Sequence, residues 1–475
     1  MKFDLKQTFK NFYYVLSSNL LALVISVLVV IVVPKVIGIR EYGYWQLFTF
    51  YASYFGILSL GWWDGIYLEY GGKKFEDLSV ASTRSLKIQF FQICTIGIMI
   101  AIIIFLYGKM FESFDEKIIF LFLAINFPLY IVQNFLRSIF QATNILKKYA
   151  SSLMISNIIY IGGILLSICI NVVDYQWILV SYSIGNVVSS LLLLNSSQSI
   201  LFHKGIKFRE YFDFKDSFKN IRSGFSILVA NLAGMLIVGV IRMGVKSGWS
   251  VSTFGKISLT LSISNFAMVF IGAIGLVAYP VLRNISKNQI ENYYPKIHAL
   301  LMLSLFAMMF IYFPLRIVLP IWLPKYQDSL TYMAVLFPVL VYQGKFELLT
   351  NVLYKVFRYE KKLFIVNAIT VLFSLIFTVI TVYFIHNLSL TILSLILVFQ
   401  IRSALGEIML EMLNFKTMVK DISIEIMIVS IFVASTWYLN IVMALFIYGL
   451  TITIFCFFSY HNIRDSIGLL RHADE

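Results

Sequence analysis

Charged residues are scarce in this chain of 475 residues, since Asp, Glu, Lys and Arg together make up only 13% of it. A soluble domain carries about twice that fraction. Hydrophobic residues make up 60% of the sequence, and the mean hydropathy is +0.85. Uncharged runs such as 11–34, 42–63 and 363–385 reach the roughly 20 residues that a helix needs to cross a bilayer. The composition therefore excludes a soluble globular protein and predicts a polytopic membrane protein.

Motifs for metal binding and nucleotide hydrolysis are also missing. The sequence contains no GxxxxGK[ST], no HExxH and no cluster of His or Cys with ligand spacing. Its three cysteines, Cys94, Cys169 and Cys456, lie inside apolar runs and are interpreted as packing residues. We therefore expect no metal, no cofactor and no enzymatic activity. Any energy for transport should come from a proton, sodium or substrate gradient.

The apolar segments predict an all-α fold. Lipid offers the peptide backbone no hydrogen bonds, so a spanning segment must be a helix or part of a closed barrel. These segments are hydrophobic all round and about twice as long as the ~10-residue strands of a barrel. We predict about 14 transmembrane helices, at 11–33, 44–63, 88–108, 118–137, 150–172, 176–196, 223–243, 257–280, 298–318, 329–352, 363–385, 389–412, 422–438 and 441–460.

The basic residues predict the orientation of the helices. The formal net charge is +14, but Lys and Arg lie beside the predicted helix ends, where they contact lipid headgroups, so nucleic acid is not an expected partner. The joints on the side of the N-terminus carry 28 Lys and Arg, whereas those on the opposite side carry 9. Because basic joints stay in the cytoplasm, both termini are predicted to be cytoplasmic.

A weak internal repeat divides the chain. Shifted by 212 residues, Tyr42-Gly43 falls on Phe254-Gly255, and at an offset of 214 Lys147-Lys148 falls on Lys361-Lys362. That period equals six predicted helices, and repeats of this kind occur in transporters that rock one half against the other. The predicted divisions are an N-terminal six-helix bundle (1–202), a basic cytoplasmic linker (203–222), a pseudo-symmetric second six-helix bundle (223–415) and a terminal helix pair with a cytoplasmic tail (416–475).

Arg402 lies about midway along the twelfth predicted span. An Arg at that depth costs about 2.5–3.5 kcal/mol on insertion scales, so its side chain should face protein or water. One interpretation is a cation that holds a phosphate or carboxylate of a substrate in a central cavity. The other is a structural residue that pairs with Glu407 or Glu347. The sequence leaves both open.

Further charged residues lie in or beside the spans. Lys345 and Glu347 are two residues apart in the tenth span, so they should point to different helix faces. Asp64 closes the second span, Arg137 follows the fourth and Arg242 lies at the outer end of the seventh. Of Lys345 and Glu347, one is a candidate to face a charged cavity while the other pairs elsewhere. Asp64, Arg137 and Arg242 are further candidates for such a cavity, with the alternative of ordinary anchors at the membrane interface.

Asparagines recur inside the predicted spans, among them Asn126, Asn157 and Asn367. Such amides often form hydrogen bonds between helices in membranes. We interpret them as packing residues, with cavity lining as the alternative.

Four segments resemble a known family. They are Glu41-Tyr42-Gly43-Tyr44 after the first span, Arg137-Ser138-Ile139-Phe140-Gln141-Ala142 followed by Lys147-Lys148, Leu323-Pro324-Lys325-Tyr326, and Arg402 with Glu407. In these residues, and in its fourteen predicted helices, the chain resembles the Wzx-type polysaccharide flippases of the multidrug/oligosaccharidyl-lipid/polysaccharide exporter superfamily.

The resemblance implies a flippase in the bacterial cytoplasmic membrane. Its substrate would be an undecaprenyl-diphosphate-linked oligosaccharide, a repeat unit of O-antigen or capsule, moved from the inner to the outer leaflet by alternating access. Proton or sodium coupling and contact with membrane lipids and other polysaccharide-assembly proteins are also expected. The candidate substrate-binding cations are Arg402, Lys345, Arg242 and Arg137, and the candidate ion-coupling or pairing carboxylates are Asp64, Glu347 and Glu407.

Two other functions are weighed against the flippase. A multidrug or small-molecule cation antiporter of the same superfamily commonly needs a buried carboxylate in its first or seventh helix, and the spans predicted there contain no Asp or Glu. A membrane-embedded polysaccharide polymerase or acyltransferase needs catalytic residues at a membrane face, often on a large outer loop. The outer joints of this chain are short and poor in His. The sequence therefore favours an anionic, lipid-linked substrate.

Overall fold

The computed structural model describes residues 5–172, 174–198, 208–283, 287–410 and 415–472, and every regular element in those ranges is a helix. The prediction of an all-α, multi-helix membrane fold is thereby confirmed. The chain separates into two compact units, unit 1 (Met1–Leu232) and unit 2 (Ala233–Glu475). Each unit is described in turn.

Unit 1 consists of long helices joined by short connections. Its helices are α1 (Leu5–Val36), α2 (Ile39–Ser53), α3 (Trp62–Tyr70), α4 (Val80–Lys109), α5 (Phe114–Ala142), α6 (Leu146–Cys169), α7 (Tyr175–Ser196) and the first part of α8 (Lys215–Gly248). Side-chain caps define some of the starts, for example Asp174, which accepts a hydrogen bond from the backbone N–H of Trp177 at 2.8 Å.

Unit 2 is built around one central helix. Its elements after α8 are α9 (Val251–Arg283), α10 (Lys287–Met308), α11 (Tyr312–Trp322), α12 (Gln327–Leu330), α13 (Met333–Lys345), α14 (Asn351–Val356), α15 (Glu360–Val379), α16 (Leu388–Ile408), α17 (Phe415–Tyr438) and α18 (Ile441–His472). A π-helical turn, Phe346–Thr350, joins α13 to α14. The span that they form together, Met333–Val356, is 89% buried, so it is the core helix of this unit.

Ten helical segments in the described residues are long and apolar enough to cross a membrane, and the two parts of α8 would make an eleventh. They are Tyr13–Val36, Val80–Lys109, Phe114–Ala142, Leu146–Cys169, Tyr175–Ser196, Asn292–Trp322, Met333–Val356, Glu360–Phe384, Leu388–Ile408 and Ile441–Ser466. All 14 predicted spans contain helix; ten overlap these segments, the span predicted at 223–243 lies in α8, and the other three do not meet the criterion. One is broken, and α9 and the start of α17 include side chains outside the described set.

The predicted second span, 44–63, is not a continuous helix. After α2 the chain forms a 3₁₀ segment, Phe55–Ser59, and α3 begins only at Trp62. Between them Leu60 and Gly61 have φ angles of 54° and 81°, which lie in the left-handed region and end an α-helix. The prediction of one straight span here was wrong, because hydropathy reports burial in lipid and does not detect a local break in the backbone.

The break allows a close helix contact within unit 1. A Cβ at Gly65 would overlap the backbone carbonyl of Asn220, and a Cβ at Gly224 would overlap the backbone of Gly61. Beside this contact the Asn220 carboxamide donates to Gln89 Oε1 at 3.0 Å. Small residues that let backbones approach in this way are a common basis of helix association in membranes.

Helix boundaries repeat at the offsets found in the sequence. The ends of α1 and α8, Val36 and Gly248, are 212 residues apart, and so are the starts of α2 and α9, Ile39 and Val251. The starts of α6 and α15, Leu146 and Glu360, are 214 residues apart. These spacings agree with a duplicated six-helix unit followed by the terminal pair α17 and α18. The predicted domain boundaries themselves stay a prediction.

Gly65→Ala tests the close contact between α3 and α8. We expect the added methyl group to destabilise the protein by about 1–3 kcal/mol, the usual cost of overpacking. Thermal unfolding in detergent measures the change. Gly162→Ala is the matched control, because a Cβ at this helical glycine meets no atom within 4 Å. Equal melting temperatures for the two variants would contradict the packing described here.

Candidate functional site

Unit 1 contains a cavity of about 210 Å³, termed here the polar cavity of unit 1. Its polar lining comes from α5, α6 and α7 and comprises Asn126, Tyr130, Gln133, Asn134, Arg137, Ser156, Asn157, Tyr160, Tyr182 and Asn186. Phe55 and Leu153 complete the wall. A concentration of amides and hydroxyls is unusual inside a lipid-embedded bundle, where polar groups are costly and mark functional sites.

A hydrogen-bonded amide network fixes one wall of this cavity. Asn186 donates to the Asn126 side-chain oxygen at 3.0 Å, and Asn126 donates to Ser183 Oγ at 2.8 Å. Gln133 donates to the backbone oxygen of Asn186 at 2.8 Å and to Ser190 Oγ at 3.1 Å. These bonds join α5 to α7, so the amides contribute to helix packing and also line the cavity.

Arg137 brings a positive charge to the polar cavity of unit 1. Its Nε donates to Ser152 Oγ at 2.9 Å and its Nη2 donates to Ser189 Oγ at 3.0 Å. Ser189 in turn donates to the backbone oxygen of Ser152 at 2.8 Å, and Ser152 Oγ donates to the backbone oxygen of Tyr149 at 2.7 Å, which orients both hydroxyls. Among the residues that the structure describes, no carboxylate lies within ion-pair distance of Arg137. The guanidinium is therefore positioned by neutral groups.

Two further polar groups of the cavity have unused hydrogen-bonding capacity. Within the described ranges the buried hydroxyl of Tyr160 has no hydrogen-bond partner. Its ring stacks on Trp45 with centroids 5.7 Å apart, and Tyr182 meets it edge-on at 5.7 Å. Asn157 lines the cavity one helical turn before Tyr160. Aromatic faces next to unsatisfied donors suit a ligand with both C–H faces and hydroxyl groups.

Unit 2 contains a buried set of charges, termed here the charge cluster of unit 2 and made of Lys345, Glu407, Glu425 and His298. The Lys345 ammonium donates to both carboxylate oxygens of Glu425 at 2.7 Å and lies 2.8 Å from Glu407. Lys345 is 0% exposed and the two carboxylates are 2% and 4% exposed. The Lys345 ammonium therefore lies between the carboxylates of Glu407 and Glu425.

His298 and Tyr294, one turn apart on α10, complete the charge cluster. His298 Nε2 lies 2.9 Å from Glu425, and the Tyr294 hydroxyl donates to Glu407 at 2.7 Å. His298, Glu407 and Glu425 thereby bring one potential ligand atom each within 4.8 Å of one another. Because Lys345 already supplies the cation at this point, we assign no metal to the cluster.

Arg402 pairs with Glu347 rather than with Glu407. Its Nη1 lies 3.5 Å from the Glu347 carboxylate, and its Nε donates to Asn367 Oδ1 at 3.1 Å. The guanidinium carbon is 3.9 Å from the centroid of the Phe346 ring, a close cation–π contact. Arg402 is almost fully buried, whereas Glu347 is about one-third exposed. Lys345 and Glu347 accordingly point to different partners.

Of the two remaining candidates, Arg242 is separate from these clusters, whereas Asp64 interacts electrostatically with Tyr130 in the lining of the polar cavity of unit 1. Arg242 donates to Ser258 Oγ at 3.0 Å and lies over the Phe254 ring at 5.1 Å. Asp64 is partly buried in the first turn of α3, just after the Leu60-Gly61 break. The structure thus groups Lys345 with Glu407 and Arg402 with Glu347, and it locates Arg137 in unit 1. The functional roles predicted for these residues stay predictions.

Several residues of both sites were missed or given a different role by sequence reasoning. Asn126 and Asn157 were interpreted as packing residues, but both line the polar cavity of unit 1. Glu425 and His298 were not selected, because each lies near the end of a predicted span and resembles an interfacial residue. The i, i+4 pair Asp421 and Glu425 inside an otherwise apolar helix was an available signal.

Comparisons with solved structures identify the fold. A structure titled "Lipid II flippase MurJ, inward closed conformation" matches with a TM-score of 0.63 and 16% identity, covering 96% of this chain and 99% of that one. An inward-facing multidrug resistance MATE family transporter of the MOP superfamily matches with a TM-score of 0.59 and 13% identity, covering 86% and 95%. The chain matches no protein-family model and no curated protein sequence. At these identities the likeness shows the fold alone.

Lys345→Met tests the charge cluster of unit 2. Removing the ammonium leaves two carboxylates uncompensated in the core, and breaking a buried pair in this way costs about 3–5 kcal/mol. Thermal unfolding in detergent measures the loss. Glu425→Gln added to Lys345→Met should recover part of it, since it removes one of the unpaired charges. Lys325→Met, at an exposed position, is the control. Loss of stability from Lys325→Met but not from Lys345→Met would refute the pairing.

Proposed function

We propose that this protein is a flippase that moves a lipid-linked oligosaccharide between membrane leaflets. In this proposal the substrate is a surface-polysaccharide repeat unit, such as one of O-antigen or capsule, carried on undecaprenyl diphosphate. It passes from the inner to the outer leaflet of the bacterial cytoplasmic membrane by alternating access. The transporter fold of the two solved structures above is the starting point, and the chemistry of the site supports the substrate class.

The observation that carries the proposal is Arg137 in the polar cavity of unit 1. A guanidinium without a counter-ion inside a helix bundle costs free energy. An anion that pairs with it during the working cycle offsets this cost. Arg forms bidentate, charge-assisted hydrogen bonds with phosphate, which fits a diphosphate. The surrounding amides, hydroxyls and aromatic rings supply the contacts that a sugar ring needs.

The size of the cavity agrees with part of such a substrate. Its ~210 Å³ is smaller than the roughly 300–1,000 Å³ of sites for drug-sized ligands. It therefore fits one polar group of the substrate, a sugar ring or a phosphate, rather than a complete lipid-linked saccharide. The lipid tail would stay in the bilayer and would not need to enter the protein.

Cation extrusion is the second candidate, since one of the similar structures is titled a multidrug resistance transporter. A cation carrier needs carboxylates or other negative groups at its binding site. The residues that line the polar cavity of unit 1 include Arg137 and no Asp or Glu. This lining favours an anionic or neutral, sugar-like substrate over a cationic drug.

Orientation and partners belong to the same proposal. The excess of Lys and Arg on the N-terminal side supports cytoplasmic termini, so the substrate would enter from the leaflet where it is synthesised. Membrane lipids and other polysaccharide-assembly proteins are the proposed partners. Arg402, Arg242, Asp64 and Glu347 are proposed to contribute to substrate or ion contacts elsewhere on the path. Lys345 and Glu407, which already pair with each other, are not proposed to hold the substrate.

Arg137→Gln tests the anion contact. Loss of one charged, bidentate hydrogen-bonding partner is worth about 1.5–3 kcal/mol, so the flipping rate should fall about tenfold to a hundredfold. The rate is measured in proteoliposomes loaded with a fluorescent lipid-linked oligosaccharide, from the fraction that becomes accessible at the outer surface.

Arg222→Gln is the matched control for this experiment, because it removes the same charge from an exposed position. Tyr160→Phe removes only the unpartnered hydroxyl and should give a smaller decrease. Wild-type rates for Arg137→Gln would overturn the assignment of Arg137, and transport of cationic drugs in place of the saccharide would overturn the proposed function.

Arg402→Ala tests the second buried cation. In cells whose surface polysaccharide depends on this protein, the variant should lose the surface polymer while it remains abundant in the membrane. The paired variant Glu347→Gln breaks the ion pair but keeps the Arg402 charge. It therefore separates a role of the charge in substrate binding from a structural role of the ion pair. If Arg402→Ala cells carry a normal amount of polymer, Arg402 has no part in transport.

A further inference from the structure

The start of α8 has its polar side buried and its apolar side exposed. Ser217 and Asn220 are each 1% exposed, whereas Phe218 and Phe225 are 67% and 49% exposed. At about 100° per residue, Ser217, Asn220 and the buried Gly224 share one face of the helix, and both phenylalanines lie away from it. Helices at a surface in contact with water show the reverse, an apolar face that packs inward. This arrangement indicates that the outer side of α8 faces apolar surroundings.

Two buried glutamines of α4 hold this orientation. The Asn220 carboxamide donates to Gln89 Oε1 at 3.0 Å, and the Ser217 hydroxyl donates to Gln92 Oε1. Gln89 Oε1 also accepts from the Trp62 indole N–H at 2.9 Å. Rotating α8 to bury its phenylalanines would break these bonds. The exposed aromatic face is therefore fixed by hydrogen bonds within unit 1.

The 3₁₀ segment before α8, Phe208–Phe212, follows the same pattern. Gln92 Nε2 donates to the backbone oxygens of Tyr211 and Asp213 at 2.8 Å and 3.0 Å. The ring of Phe212 between them is 67% exposed. Together with the phenylalanines of α8 it forms an exposed apolar strip, a feature that marks contact with a membrane or with another protein.

The position of α4 in the bilayer gives the depth of this apolar strip. No charged residue lies between Lys87 and Lys109 in α4. Gln89 is 20 residues before Lys109, about 30 Å along the helix, which equals the thickness of the hydrocarbon core. Gln92 lies about 4 Å further in. The segment 211–220, which both glutamines bind, therefore lies at the edge of the hydrocarbon core on the side where α4 begins.

The acidic groups at the start of α8 bond to the chain itself. Asp213 accepts a hydrogen bond from the backbone N–H of Lys215 at 3.1 Å, and Asp216 accepts one from the Ser85 hydroxyl. The Lys215 side chain is exposed. Its ammonium can extend to lipid phosphates while its methylene groups stay beside the apolar strip.

We propose that segment 211–220 binds phospholipids of the inner leaflet, with Phe212 and Phe218 among the acyl chains and Lys215 at the headgroups. Lipid is the occupant because the strip continues into the apolar part of α8 and because α4 sets its depth at the edge of the hydrocarbon core. The cytoplasmic linker predicted at 203–222 would then end before this segment. The contact anchors the start of α8 in the membrane and does not depend on which substrate the protein moves.

Site-directed spin labelling of the full-length protein tests this contact. The three native cysteines are replaced by alanine, Phe218→Cys is labelled, and the protein is reconstituted in vesicles of phosphatidylethanolamine and phosphatidylglycerol. Electron paramagnetic resonance measures collisions of the label with oxygen, which concentrates among acyl chains, and with a polar nickel chelate, which stays in water. For Phe218→Cys we expect a chelate collision rate about tenfold lower than for Glu76→Cys, because polar solutes are excluded from apolar surroundings.

Two positions calibrate the measurement. Glu76→Cys is the aqueous control, at an exposed position between α3 and α4, and Ile98→Cys is the lipid control, at a position of α4 that is 54% exposed. Phe212→Cys serves if Phe218→Cys does not fold, because it lies outside α8. A chelate rate equal to that of Glu76→Cys overturns the proposal. So does a label that neither oxygen nor the chelate reaches, because protein, such as a second copy of the chain, would then cover the strip.

Discussion

A buried charge in a membrane-embedded protein is stable only where other charges or fixed polar groups face it. This requirement organises both units of the chain. In unit 2 Lys345 joins Glu407 and Glu425, and this interaction connects three helices. In unit 1 Arg137 is held by two serine hydroxyls and meets no carboxylate among the described residues. The first arrangement is complete in itself, whereas the second is proposed to pair with an anionic group of the substrate.

The two arrangements support different tasks. The polar cavity of unit 1 combines a positive charge with amides and aromatic rings, as a saccharide phosphate requires. The charge cluster of unit 2 lies in a buried core, where the Lys345 ammonium contacts both carboxylates. Its charges connect helices, and they are not proposed to contact the substrate.

Hydropathy predicted the fold well, because insertion in lipid constrains every spanning segment in the same way. Helix was found in each predicted span, and the break predicted at 438–440 separates α17 from α18. The prediction of one helix for the second span was wrong, since Leu60 and Gly61 have left-handed φ angles that interrupt the helix, and the hydropathy of the segment does not register this. Arg137, selected from its charge, lines the polar cavity of unit 1, and its role there stays a prediction. Site prediction failed for His298 and Glu425, whose significance depends on helices far apart in the sequence.

The sequence by itself determined that the chain is a multi-helix membrane protein with a repeated architecture, because these features depend on local hydrophobicity and spacing. It also supplied cations within apolar spans, such as Lys345 and Arg402. Only the tertiary structure decided which charges neutralise one another. Lys345 and Arg402 are both buried cations in apolar helices, but each acquired its carboxylate from contacts made on folding. Pairing depends on distances of a few ångströms between distant segments, and helix packing alone determines those distances.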